Sequence, residues 1–112
     1  RRRVTMKLWT KELEKRAKNF PIYSQEKKGL SAQVLVKIFN PYGRGTWLIT
    51  EAQKQEDGDW LLFGYCHMTE WEWCYLMLSD LENMEIAIFG HRFKLERDLH
   101  VSKDATVKDL VK

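Results

Sequence analysis

The chain has 112 residues, 44% hydrophobic and 31% charged, with a net charge of +3; this is the profile of one globular domain able to bury a core without staples. No apolar run approaches the roughly 18 residues of a membrane span. Arg1-Arg2-Arg3 is not followed by the apolar stretch of a signal peptide, and two cysteines, Cys66 and Cys74, make no disulfide framework, so a reducing, cytoplasmic setting is expected.

The mild total hides a split: residues 1–56 carry 13 Lys/Arg against 5 Asp/Glu, and residues 57–112 carry 6 against 11. A basic front half suits nucleic acid or an acidic protein, unless the fold interleaves the halves and averages the potential. Met6 is a candidate start, with residues 1–5 non-native or disordered.

The spacing predicts a first helix over residues 11–20. Thr10 is its N-cap and Glu12 sits in its first turn, while Leu13, Ala17 and Phe20 share one face and Pro21 stops it. Residues 24–29 are polar and read as a loop. The period then changes to two. Ala32, Val34, Val36 and Ile38 alternate with Gln33, Leu35, Lys37 and Phe39, which predicts a strand with one apolar face.

Asn40-Pro41-Tyr42-Gly43-Arg44-Gly45 is a turn, and residues 46–53 form a second strand rich in β-formers. Asp57-Gly58 favours a tight hairpin into a third strand over 60–67. Residues 68–70 turn the chain into a fourth strand over 71–78. On it Trp71, Trp73, Tyr75 and Met77 face one way, and Glu72, Cys74 and Leu76 the other. The short connections imply a meander.

Ser79 with Glu82 matches a capping box and predicts a short helix. Residues 86–89 read as a strand broken by Gly90, and residues 93–101 as an edge pairing. Asp104 is a candidate cap for a last short helix or tail over 103–112, carrying Val107, Leu110 and Val111. The expected fold is therefore a single α+β domain over residues 1–112. An N-terminal helix leads into an antiparallel β-meander of four to six strands, with one or two short helices.

Few residues suggest chemistry. Cys66, Cys74 and His91 are weak zinc candidates, with His67 beside them. No Cys-x-x-Cys or His-x-x-x-His spacing exists, and Cys66 and His67 point to opposite strand faces, so buried thiols are the expected state. A metal-dependent nuclease needs converging carboxylates; Glu51, Glu70, Glu72, Glu96 and Asp98 qualify by type but not by spacing. Ser24, Ser31, Ser79 and Ser102 lie in no nucleophile elbow, and Gly43-Arg44-Gly45 is too short for a phosphate loop. No catalytic residue, cofactor or metal is expected.

Binding remains. Single-strand nucleic acid needs exposed rings beside basic residues. Trp47, Trp60, Trp71, Trp73 and Tyr75 supply rings, while Lys27, Lys28, Lys37 and Arg44 supply charge; Glu70 and Glu72 beside the tryptophans oppose phosphate, and a period-two aromatic stripe more commonly faces a core.

The ordered set of Met6-Lys7-Leu8, Thr10-Lys11-Glu12, Tyr23-Ser24-Gln25-Glu26, Val36-Lys37-Ile38-Phe39-Asn40-Pro41, Thr46-Trp47, Thr50-Glu51, Phe63-Gly64-Tyr65, Leu78-Ser79-Asp80-Leu81-Glu82 and Leu95-Glu96-Arg97-Asp98-Leu99 resembles a bacterial family of small domains of unknown function found in mobile elements, plasmids and phages. The chain departs from that pattern at Cys74-Tyr75-Leu76 and over residues 84–91. The family has no catalytic residues to carry over.

The resemblance implies a small accessory protein of mobile DNA that binds a protein partner, including anti-CRISPR-type inhibition of a host defence nuclease. Asp57, Asp59, Glu70, Trp71, Glu72, Glu96, Arg97 and Asp98 are the candidate partner-binding residues, the acidic ones suited to a basic groove. Glu96-Arg97-Asp98 has a second reading as an ion-pair cluster that pins the last strand. A single-stranded nucleic-acid binder or weak metal-dependent nuclease is the alternative, using Lys27, Lys28, Lys37, Arg44, Trp47 and Trp73. Oligomeric state is left open.

Overall fold

The structure is a computed structural model, and it describes residues 7–111. The expectation for residues 1–5 therefore lies outside the described residues. The helices are α1 (Lys11–Ala17), α2 (Leu78–Asn83) and α3 (Val107–Leu110), and a 3-10 turn occupies Gly29–Ser31. The strands are β1 (Val36–Phe39), β2 (Thr46–Lys54), β3 (Trp60–His67), β4 (Trp71–Met77), β5 (Glu85–Ile88), β6 (His91–Lys94) and β7 (Glu96–Arg97).

The expected α+β architecture is present. β1 to β4 form the antiparallel meander, and β7 adds to its far edge in the order β4-β3-β2-β1-β7. β5 and β6 make a separate hairpin through Phe89-Gly90, both with positive φ, as a tight two-residue hairpin turn requires.

Thr10 caps α1 as expected, its hydroxyl accepting the Leu13 N–H at 3.2 Å. The helix ends at Ala17 rather than Phe20. The last turn before Pro21 tightens: the N–H groups of Lys18, Asn19 and Phe20 donate to carbonyls three residues back.

The first strand is also shorter than its pattern. A bend at Leu35 sends the apolar set to two sides. Ala32 and Val34 pack with Leu48 and Val107, whereas Val36 and Ile38 join the main core. Residues 33 and 34 pair instead with the C-terminal segment, where Gln33 bridges Thr106 and Val34 N–H donates to Ala105 O at 2.9 Å.

One sheet face carries the main core. Trp47, Ile49 and Ala52 of β2 and Trp60, Leu62 and Cys66 of β3 meet Leu8, Trp9, Leu13 and Ala17 from the N-terminal segment, together with Leu78, Leu81 and Leu95. The Trp9 and Trp60 rings lie 5.1 Å apart and tilted. Each fully buried aliphatic side chain here contributes about 1.5–3 kcal/mol.

A bulge between Ile49 and Glu51 interrupts the β2–β3 register. The strands approach so closely there that a Cβ on Gly64 would stand 2.1 Å from Leu48 O, so only glycine fits.

Two capping expectations are corrected. Ser79 is not the N-cap of α2; its hydroxyl and N–H donate to Asp59 of the β2–β3 turn, at 2.6 and 3.1 Å, and Met77 holds the cap position. α3 is capped by Thr106 in a capping box with Asp109, not by Asp104. The free-thiol reading is corrected too. Cys66 and Cys74 form a disulfide across β3 and β4. They sit diagonally in the ladder, since Gly64 opposes Cys74 and Glu72 opposes Cys66. No helix among the described residues is long and apolar enough to cross a membrane.

Candidate functional site

The opposite sheet face is built of rings. Phe63, Tyr65 and His67 of β3 alternate with core-facing residues, and their register partners on β4 are Tyr75, Trp73 and Trp71. The rings interlock along both strands. Phe63 and Trp73 stack at 5.4 Å and 7°, Tyr65 and Trp71 at 5.2 Å and 14°, and tilted contacts join Phe63 to Tyr75 and Tyr65 to Trp73. Each such pair contributes about 0.5–1.5 kcal/mol beyond its buried area.

The chain covers half of this face. Ala32, Val34 and α3 close over Leu48, with Tyr65 and Trp71 packed at the margin. The other half is open: Trp73 is 38% and Tyr75 51% exposed, on a strand that forms the sheet edge.

Residues 21–31 border the open half, and two buried polar side chains fix them there. Glu51, 2% exposed, sits where the bulge turns it toward Phe63. Its two oxygens accept the N–H groups of Tyr23 and Gln25, at 2.8 and 2.9 Å. The Gln25 amide donates to Gln33 O and Thr50 O and accepts the Gln33 N–H. These bonds hold Tyr23 at a positive φ of 76° and satisfy the buried groups.

Between the segment and the sheet lies a hollow of about 150 Å³, lined by Gln25, Glu26, Gly29, Thr50, Phe63 and Trp73. The Tyr75 hydroxyl at its side is held above the usual phenol range, first by partial burial, then by its hydrogen bond with Tyr23 and by the charges of Glu51 and Glu26. A larger hollow of about 440 Å³ on the other face, between α1 and β2–β3, is mostly Ala17, Pro21, Ala52 and Trp60 with Glu14, Lys18 and Lys54 around it.

The residues expected to bind a partner are dispersed. Asp57 and Asp59 lie at the β2–β3 turn, where Asp57 accepts the Asp59 N–H at 2.9 Å. Asp59 is committed to Ser79 and to the Trp60 N–H; these donors, the Ser79 hydroxyl foremost, lower its pKa. Glu70 is exposed in the β3–β4 turn, at the other end of β3. Glu72 is exposed but alternates to the face opposite Trp71 and Trp73.

Glu96, Arg97 and Asp98 lie along the far sheet edge. Glu96 pairs with Phe39, Arg97 Nε donates to Lys7 O, and Asp98 is 3.5 Å from Lys37 Nζ and donates its N–H to Lys37 O. The Lys37–Asp98 pair and these backbone bonds hold the segment against β1.

Of the residues named for nucleic acid, Trp73 is open and Lys27 and Lys28 are exposed in the bordering segment. Arg44 is exposed in the β1–β2 turn, and Lys37 is engaged with Asp98. Trp47 and Trp60 are buried in the core, so neither ring can stack on a base.

The weak zinc candidates are not brought together. Cys66 and Cys74 are spent in the disulfide, and His91 lies in the separate β5–β6 hairpin. Among the described residues no group of three or more His, Cys, Asp or Glu could hold an ion, and the nuclease candidate Glu51 has both oxygens committed to backbone donors.

Tyr23, Gln25, Glu26 and Phe63 belong to the site although sequence reading did not place them there. The available signal was Glu51, a carboxylate in the middle of a strand, one residue from Ala52 and two from Ile49.

These features define a small α+β domain with a half-open aromatic sheet face. The family model described as "Protein of unknown function (DUF2958)" matches residues 8–112, and the chain belongs to that family. The resemblance to a family of small domains of unknown function holds at that level. Neither a comparison with curated proteins nor one with solved structures gave a match.

Proposed function

We propose that this protein is a non-enzymatic binding module that captures a protein partner on the open half of its aromatic face. The observation that carries this reading is the exposure of Trp73 and Tyr75 on the bare edge strand, beside rings that the chain's own C-terminal segment covers. Large rigid rings lose little entropy on binding and dominate protein interfaces. An unpaired strand edge also offers backbone donors and acceptors to an extended segment.

The family resemblance extends the proposal to a setting: an accessory protein of a phage or mobile element, with a host defence nuclease of the CRISPR type as partner. Cytoplasmic location is part of the same proposal and rests on that setting alone, because the Cys66–Cys74 disulfide removes the free-thiol argument for a reducing compartment.

The test is a binding titration against purified defence nucleases with the wild-type chain and a Trp73→Ala/Tyr75→Ala double variant. A ring truncation at an interface centre costs about 2 kcal/mol or more, so the variant should bind at least ~30-fold more weakly at a temperature where circular dichroism shows it still folded, its melting temperature being lowered by the lost ring contacts. A variant that binds as tightly as wild type would refute the assignment of this face.

Single-strand nucleic acid is the second reading, favoured by Lys27 and Lys28 in the segment beside Trp73. An oligonucleotide titration at two salt concentrations separates the two, because phosphate contacts weaken steeply with salt.

A further inference from the structure

We propose that the hollow between residues 25–29 and the Phe63–Trp73 stack is a subsite for an arginine side chain of the protein partner. The proposal rests on the protein-binding reading above and names the chemistry that this face selects.

The hollow's apolar wall is the stacked pair Phe63 and Trp73. An aromatic face is the negative end of a quadrupole and attracts a cation, tryptophan most strongly. Glu26 lines the same hollow and is exposed, while the Glu51 carboxylate lies beneath the segment that closes it. Among the described residues the Glu26 carboxylate is therefore the one charged group in the lining of the hollow, beside the ring pair.

The other polar groups are taken. Gln25 is saturated by Gln33 and Thr50, and Glu51 by two backbone N–H groups. A neutral hydrogen-bonding ligand therefore finds little to bind, and an anion meets the Glu26 carboxylate. Lys27 and Lys28 are exposed and line none of the hollow.

Size agrees. The hollow of about 150 Å³ is half the lower bound, roughly 300 Å³, of sites that enclose a drug-sized ligand. It suits the head of one side chain. Guanidinium fits better than ammonium, because it stacks flat on an indole and pairs with a carboxylate through two N–H groups. A basic groove of a nucleic-acid enzyme supplies such side chains.

The experiment uses the full chain and three capped peptides that differ in one residue: arginine, its neutral isostere citrulline, or glutamate. Binding is read from NMR shifts of the Trp73 indole N–H and the Glu26 amide. The arginine peptide should bind about tenfold more tightly than the citrulline peptide, the ratio that 1.4 kcal/mol of charge-dependent binding produces. Glu26→Gln should bring the arginine peptide down towards the affinity of the citrulline peptide and leave the fold intact, as the amide spectrum outside residues 23–29 reports. The glutamate peptide should not bind.

Equal binding of arginine and citrulline overturns the proposal. So does a ratio that survives Glu26→Gln, or an oligothymidylate that shifts these signals when the arginine peptide does not. A Glu26→Gln chain that captures the protein partner like wild type while Trp73→Ala/Tyr75→Ala fails overturns the subsite and leaves the binding reading standing. Arginine-peptide binding in a chain whose partner capture survives the double ring truncation overturns the binding reading instead.

Discussion

Glu51 shows how one side chain can look catalytic and act structurally. A carboxylate in the middle of a central strand reads as a site residue, yet both oxygens accept backbone N–H groups and fix the segment that borders the aromatic face. Glu51→Ala orphans the Tyr23 and Gln25 donors and should lower stability by about 2–4 kcal/mol, read from urea unfolding. Glu51→Gln keeps one acceptor and should lose less; equal losses would show that the hydrogen bonds are not what matters. Asp59 is the second case. Its pKa is held below 3.8, chiefly by the Ser79 hydroxyl and then by the Trp60 N–H. A depressed carboxylate stabilises the fold above its unfolded pKa and loses that contribution as pH falls through the folded value. Ser79→Ala should therefore lower the melting temperature at neutral pH, and the gap to wild type should narrow as the pH falls below the ordinary aspartate range. A gap independent of pH would mean that Ser79 acts by packing.

At the scale of elements, the strands of the meander were legible because alternation and turn chemistry agree over residues 46–77, where Asp57-Gly58 and the polar residues 68–70 punctuate runs of β-formers. What escaped reading was set by contacts distant in sequence. The Leu35 bend follows from residues 33 and 34 pairing near Thr106, the α2 start from Asp59 reaching Ser79, and the burial of Glu51 from the segment folding over it. Periodicity reports none of these. The stripe of Trp71, Trp73 and Tyr75 was legible as a face, but whether that face is covered depends on α3, some 30 residues later. The disulfide belongs here too, since the Cys66–Cys74 tie depends on the register of β3 against β4. With a sequence separation of 8, loop closure assigns it about 2–3 kcal/mol. Reductant, or the Cys66→Ser/Cys74→Ser double variant, should lower the urea midpoint accordingly and speed hydrogen exchange of the β4 amides. An unchanged midpoint would show that the ring ladder alone secures the edge strand.

At the scale of the whole molecule, the sheet has two unlike edges. β7 closes one with a strand of only two residues, pinned by the Lys37–Asp98 pair. β4 leaves the other bare over seven residues that include Trp73, Tyr75, Leu76 and Met77 and contain no proline. A long apolar edge of this kind is a template for pairing with further copies, and proteins blunt it with charge. Glu72 is the one charged residue on β4, exposed and turned away from the rings. A charge at that position disfavours pairing of the edge with a second copy. Glu72→Val should raise concentration-dependent association, seen by light scattering and sedimentation, with little loss of monomer stability. Glu70→Val, in the turn beyond the strand, should not. If both substitutions aggregate alike, net charge rather than edge protection governs solubility. If neither does, another feature guards the β4 edge, such as its exposed aromatic side chains.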